Sequence, residues 1–182
     1  VPIAADGVEC ERFPTHDGRG GMNCRFDLLL ESDHILLQGQ PASDALEAYR
    51  ALAMTLSSAE TLGATQAALD TTVDYTKQRV QFGQPLASFQ ALQHRMSNML
   101  IQTELTRSLI YAACNAADNG RDDAARFARA AKVKATTVGR AVSQEAIQLH
   151  GGIATTDEYI VGHFFKRITA LESWVCSKGE AL

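Results

Sequence analysis

Four prolines, seven phenylalanines, four tyrosines and a single tryptophan in 182 residues leave few large rings to fill a core. No stretch reaches the ~18–20 consecutive apolar residues that a membrane-spanning helix needs, and no charged-then-apolar leader opens the chain. Positive charge is not in excess: 17 Lys and Arg face 21 Asp and Glu, a formal net charge of −4. That removes the basic footprint of a nucleic-acid-binding surface. The four cysteines, Cys10, Cys24, Cys114 and Cys176, show no C-x-x-C spacing. They read as reduced thiols of a cytoplasmic protein, with no metal site.

What the chain does contain is helical periodicity. Residues 1–40 differ from the rest, with short apolar–polar alternations around the turn signals Asp6-Gly7 and His16-Asp17-Gly18-Arg19-Gly20-Gly21. Val8–Phe13 and Met22–Leu28 are expected to be strands with one core-facing side, and Ser32-Asp33-His34 a turn. His16 and His34, without partners in sequence, read as surface histidines. Pro41 then opens a helix of about thirty residues, with Ser43-Asp44 as cap-type side chains. Leu46, Tyr49, Leu52, Ala53, Leu56, Ala59, Leu62, Gly63, Gln66, Leu69 and Val73 recur at steps of three and four and predict its buried face. Ala59, Gly63 and Ala67 form a small-residue strip suited to close helix approach.

A second helix is expected over 88–118, stopped by Asp118-Asn119-Gly120. A third starts at Asp122-Asp123 and ends at His150-Gly151-Gly152. The pattern Thr155-x-x-Glu158 predicts a capping box for a fourth, over 156–171. Four helices with short connections make a mainly α, up-down-up-down four-helix bundle over 41–182, preceded by a short remnant of an antiparallel β domain over 1–40. No Glu-x-x-His pair lies on any of the four helices, which argues against the di-iron version of this architecture.

The break between the first two helices carries more than a turn needs. Arg79-Val80-Gln81-Phe82-Gly83-Gln84-Pro85-Leu86 supplies the Gly and Pro of a break. It also places Arg79, Gln81 and Phe82 close to Phe89 and Gln90. Arg suits bidentate contact with phosphate, Phe offers a flat ring and Gln an amide that both donates and accepts. Those groups can hold a dinucleotide's diphosphate and ring. A second block, Gln148-Leu149-His150-Gly151-Gly152-Ile153, pairs an amide with two glycines that let backbone approach a ligand.

The pattern R-x-Q-F-G-x-P-L-x-x-F-Q resembles the signature of the C-terminal helical domain of acyl-CoA dehydrogenases. The second block, continuing through Thr155-Thr156-Asp157-Glu158-Tyr159, resembles that family's Q-x-x-G-G segment. Phe164-Phe165-Lys166-Arg167 looks most like the small subunits of pimeloyl-CoA-type and steroid-side-chain members. The resemblance implies that an N-terminal helical domain and most of a β domain precede this part in the whole protein. It implies α,β-dehydrogenation of an acyl-CoA thioester with FAD as cofactor, electron-transfer flavoprotein as acceptor, and homo- or hetero-oligomers formed through the bundle. It assigns the FAD diphosphate to Arg79, the cofactor's surroundings to Phe82, Phe89 and Gln90, and a second approach to FAD to Gln148, Gly151 and Gly152.

The catalytic base is where the sequence departs from the family. One family position falls at about Val175, and Ser173-Trp174-Val175-Cys176-Ser177 holds no carboxylate and no Glu-Gly-Thr. The other falls at about Ala53. Glu172 and Glu60 are the nearest carboxylates, and neither sits at a base position. Two readings follow: a dehydrogenase subunit with an unusual base, or a base-less subunit that completes the cofactor site of a heteromer. A purely structural bundle would not require Arg79, Phe82, Gln90, Gln148 and the glycine pair.

Overall fold

A computed structural model describes residues 3–181. The chain divides into two compact units, Val1–Glu47 and Ala48–Leu182. In the first, strands β1 (Val8–Pro14) and β2 (Gly20–Phe26) form an antiparallel hairpin in which Val8 faces Phe26 and Pro14 faces Gly20. The Thr15 N–H donates to the Arg19 carbonyl at 2.8 Å and closes the turn. The expected core-facing side is absent: only Val8 and Gly21 are even half-buried. Two strands have no layer of their own to bury against. Phe13 instead lays its ring over Gly21, where an added Cβ would come within 2.5 Å of Phe13 Cε2. Ser32–His34 is a 3-10 turn, and His34 is exposed beside Asp33.

The helices are α1 (Gln40–Gln78), α2 (Gln90–Asp118), α3 (Ala124–His150), α4 (Ile160–Ser173) and a short α5 (Lys178–Ala181). From Ala48 onward α1 belongs to the second unit. Polar cross-links set the antiparallel registers. Arg107 of α2 donates to Gln66 of α1 at 2.7 Å, and Lys134 of α3 to Gln102 of α2 at 2.8 Å. Arg167 of α4 holds Glu60 of α1 at 2.8 and 2.9 Å. One apolar cluster joins Leu69, Met99, Val138, Val142, Leu149 and Val161; a second joins Leu62, Ile110, Ala113, Ala131 and Ala135. The up-down-up-down bundle is therefore present. Among the described residues no helix is long and apolar enough to cross a membrane.

Helix α1 does not bury the stripe its leucines mark. Leu46, Tyr49, Leu52 and Leu56 are exposed, while Thr55, Ser57, Ser58, Thr61, Thr65, Thr72 and Thr76 are buried beside Leu62 and Leu69. The physical reason is local. Thr61, Thr65 and Thr72 donate their hydroxyls to the carbonyls of Ser57, Thr61 and Ala68 at 2.8, 2.7 and 2.6 Å. Their polar atoms are satisfied within the helix, and small inward side chains let neighbours come close. The closest approach is not at the Ala59, Gly63, Ala67 strip, where a Cβ on Gly63 would meet nothing within 4 Å. It is at Gly139 of α3, where a Cβ would lie 2.8 Å from Thr61 Cγ2 and 3.1 Å from Ile168 Cγ2.

Three helix starts also differ. Helix α1 begins at Gln40, so Asp44 lies inside the helix just past its first turn and accepts from Gln40 Nε2 at 2.7 Å. A 3-10 turn over Leu86–Ser88 delays α2 to Gln90. Another over Gly151–Thr155 takes up Thr155, whose hydroxyl donates to Gly152, so no Thr155–Glu158 box forms. Helix α4 starts at Ile160 behind Tyr159, without a side-chain cap.

Candidate functional site

Between α1 and α2, at the break that the sequence marked, the chain forms a second hairpin with two-residue strands, β3 (Val80–Gln81) with β4 (Gln84–Pro85). Its tip is Phe82-Gly83, with φ 55° and 82°. Positive φ at both central residues is the pattern of a type I′ turn, which normally takes Asn-Gly. A phenylalanine there stores strain of order 1–3 kcal/mol. The strain holds an apolar ring out in solvent: Phe82 is 90% exposed. The half-buried Phe89 meets it edge-on, centroids 6.2 Å apart. Leu86 N–H donates to the Arg79 carbonyl at 2.8 Å and closes the loop. Arg79, Phe82, Phe89 and Gln90 are thus gathered on one small loop. The guanidinium of Arg79 is exposed and makes no ion pair among the described residues.

The second block ends α3. Gly151 has φ 70° and ψ −148°, a region essentially reserved for glycine. Gly152 is exposed, and a Cβ on either glycine would meet nothing within 4 Å. Their backbone therefore borders open space. Gln148, one turn earlier, is also exposed.

The two blocks lie at the same end of the bundle, and the groups that tie them together are ones the sequence did not single out. Tyr75, four residues before Arg79, stacks on His150 with centroids 4.3 Å apart and donates its hydroxyl to the His150 carbonyl at 3.3 Å. Tyr159 closes the cluster, 5.1 Å from the His150 ring. Tyr75, one turn before Arg79, and His150, inside the second block itself, were the available signal. His150 Nδ1 lies 2.8 Å from the Ala146 carbonyl, so Nδ1 carries the proton. Nε2 is buried without a partner.

Burial lowers the His150 pKa, opposed by the bond to Ala146. The folded ring is neutral where the unfolded chain already takes up a proton. Stability from this group is therefore complete above the ordinary value of 6.5 and falls as pH drops through that value and below it. His150→Phe should lack this acid-side slope, so the difference between the two thermal-unfolding profiles should change with pH by at most about 1.4 kcal/mol per pH unit. Parallel profiles between pH 4 and 7 would show that His150 is not the group responsible.

The candidate base positions are occupied otherwise. Ala53 is buried. Val175 has φ 72°, a strained value for a β-branched residue. The segment around it is held by Lys132 of α3, 1% exposed, whose Nζ donates to the carbonyls of Leu171 at 2.6 Å and Trp174 at 3.0 Å. Glu172 is clamped by Arg140 through Nε at 2.6 Å and through Nη2. Glu60 is clamped by Arg167. Both nearby carboxylates are thus engaged as acceptors of two-pronged guanidinium contacts.

A family profile described as "Acyl-CoA dehydrogenase, C-terminal domain" matches residues 45–175. The acyl-CoA dehydrogenase IpdE2 of Mycolicibacterium smegmatis is 40% identical over 115 residues, 63% of this chain and 35% of its own length. The probable acyl-CoA dehydrogenase fadE25 of Mycobacterium bovis is 33% identical over 146 residues, 79% of this chain and 36% of its own. Among solved structures, butyryl-CoA dehydrogenase from Megasphaera elsdenii superposes with TM-score 0.92 at 25% identity, covering 100% of this chain and 48% of that one. A Tcur3481-Tcur3483 steroid ACAD variant superposes at 0.87 with 29% identity, covering 100% of this chain and 48% of that one. The chain therefore spans about a third of these curated relatives' length and about half that of the solved structures. With the profile covering well over half of its residues, the chain belongs to the acyl-CoA dehydrogenase family.

Proposed function

We propose that this bundle completes the FAD site of an acyl-CoA dehydrogenase and leaves proton abstraction to a carboxylate supplied elsewhere. The observation that carries the reading is the meeting of the strained Phe82 hairpin and the Gly151-Gly152 turn at one bundle end, tied by Tyr75 and His150. Packing requires neither an unpaired exposed arginine nor a phenylalanine in a left-handed turn. The residues fit the cofactor: Arg79 offers a two-pronged cation for a diphosphate, and Phe82 and Phe89 offer apolar faces. Gln90 and Gln148 offer amides, and Gly151 and Gly152 offer backbone with no side chain in the way.

FAD, when bound, supplies the hydride acceptor for α,β-dehydrogenation of an acyl-CoA thioester, and electron-transfer flavoprotein is the proposed final acceptor. The chain's own part is to bind and orient. The clamping of Glu172 and Glu60 by Arg140 and Arg167 supports the base-less reading, since neither carboxylate is free to take an α-proton. The steroid ACAD named above bears a paired name, Tcur3481-Tcur3483. An analogous heteromer is the proposed assembly here, with the bundle as contact surface.

The test uses the complete protein, alone and co-expressed with its genomic neighbour. Flavin absorbance that bleaches with acyl-CoA only in the co-expressed complex is the expected result. Bleaching of the chain alone would place a working base within it and overturn the base-less reading. Arg79→Ala should weaken flavin retention in the assembled protein by about 10- to 100-fold, the value of a charge-assisted bond. The exposed side chain contributes little to packing, so the melting temperature should stay put. Unchanged flavin content would remove Arg79 from the site.

A further inference from the structure

The hairpin of the first unit carries two thiols that the linear sequence scatters fourteen residues apart. Cys10 of β1 and Cys24 of β2 are direct cross-strand partners. Their register decides what they can do. The Asp27 N–H donates to the Gly7 carbonyl and the Thr15 N–H to the Arg19 carbonyl, so odd-numbered positions of β1 are the hydrogen-bonded pairs. Position 10 is therefore a non-hydrogen-bonded pair. There the Cα atoms of facing residues approach to roughly 4.5 Å and side chains stand closest, within the Cα separation that a disulfide bridges. The two Sγ atoms already share a hydrogen bond at 3.1 Å, and both residues are exposed to a soluble partner.

We propose that Cys10 and Cys24 are a redox pair that closes into a cross-strand disulfide by exchange with a small-molecule disulfide. One thiolate attacks a sulfur of the small disulfide, forms a mixed disulfide and releases one small thiolate. The second cysteine then attacks the mixed-disulfide sulfur bound to its neighbour. The Sγ–Sγ bond forms, the second small thiolate leaves, and the two thiol protons end on the two released small thiols. Two cysteines are oxidised and one small disulfide is reduced, so electrons balance. The bond suits its place. A two-stranded hairpin with almost no buried side chain is marginal in water. On this face of the ribbon lie Val8, Cys10 and Arg12 opposite Phe26, Cys24 and Met22, while Phe13 and Gly21 pair on the other. The bridge would add a covalent tie between the two strands. The hydrogen bond to Cys24 raises the Cys10 pKa, with Arg12 opposing, which favours the shared-proton dithiol until an oxidant arrives.

The test is made on the full chain, equilibrated in glutathione buffers from fully reduced to oxidising, then trapped with an alkylating agent under denaturing conditions. Tryptic mapping should show the fragment ending at Arg12 linked to the fragment 20–25, the intact mass falling by two hydrogens, while Cys114 and Cys176 remain alkylated. Amide exchange across residues 8–26 should slow by at least tenfold on oxidation. Cys24→Ser should leave Cys10 as a glutathione adduct that dithiol removes, with no change in exchange. Cys10 and Cys24 both alkylated at an oxidised-to-reduced ratio that converts a dithiothreitol control would overturn the proposal. So would linkage only between chains, or linkage to Cys114 or Cys176.

Discussion

Lys132→Ala should lower the melting temperature of the protein by about 8–16 °C. The side chain is 1% exposed, and its ammonium bonds two carbonyls at the end of α4. Truncation removes three methylenes' worth of buried apolar contact, roughly 2–3 kcal/mol at about 0.8 kcal/mol each. It also removes two charge-assisted bonds, leaving the Leu171 carbonyl with only the Trp174 N–H at 3.3 Å and the Trp174 carbonyl without the ammonium, about 1–3 kcal/mol. Relief of the desolvated charge offsets part of this, giving a net loss near 4 kcal/mol, with each kcal/mol worth about 2–4 °C at this size. Lys132→Met separates the contributions. It fills the volume without donating, so it should lose about half as much and should speed amide exchange over residues 172–181. A methionine variant that melts with the parent and exchanges at the parent's rate would show that the two bonds do not hold the segment. The pH dependence has a defined sign. Burial lowers the Lys132 pKa below its ordinary 10.5, with Cys176 and Glu172 opposing. Just below 10.5 the unfolded chain binds more protons, so this group's contribution to stability rises with pH there, and the methionine variant should lack that rise.

Gly139→Val should cost more than 3 kcal/mol and lead to loss of the folded protein at growth temperature. A Cβ at this position would stand 2.8 Å from Thr61 Cγ2, 3.1 Å from Ile168 Cγ2 and 3.3 Å from Thr65 Oγ1. Three helices meet there, and a β-branched threonine has little room to turn aside. Gly139→Ala is the graded case. It gains about 1 kcal/mol of helix propensity and meets an overpacking cost of about 1–3 kcal/mol. A net loss of about 1 kcal/mol is expected, read as a shift in the denaturation midpoint. If alanine instead stabilised the chain by a full kcal/mol, the three-helix approach would be looser than described.

The bundle was legible because Leu62, Leu69, Val138, Val142 and Leu149 recur with helical spacing, and because Gly120 and Gly151 stop helices where periodicity ends. The inward face of α1 was not, since Thr61, Thr65 and Thr72 look polar in sequence and behave as small apolar residues once each hydroxyl serves its own helix. Helix starts moved because 3-10 turns, which leave no periodic mark of their own, took up Leu86–Ser88 and Gly151–Thr155. Arg79, Phe82 and the glycine pair stand out by residue type alone. Their tie through Tyr75 and His150 depends on the ends of α1 and α3 meeting, which no local pattern encodes. Lys132 was invisible for a related reason: a lysine between Ala131 and Val133, two residues before Lys134, reads as solvated until α4 is laid over it.

The threonine face of α1 has a consequence for specificity. A surface whose hydroxyls bond their own backbone, with Thr76 also reaching the Met96 sulfur of α2 at 3.3 Å, asks little that is directional of its neighbours. Slid by one turn, it would present much the same small side chains, since Ser57, Thr61 and Thr65, and again Thr72 and Thr76, stand one turn apart. Register in this bundle is therefore vested in its charged and amide cross-links, Glu60 to Arg167, Gln66 to Arg107 and Gln102 to Lys134. These few partly buried pairs act as a code of position, while the core they align supplies cohesion without an address.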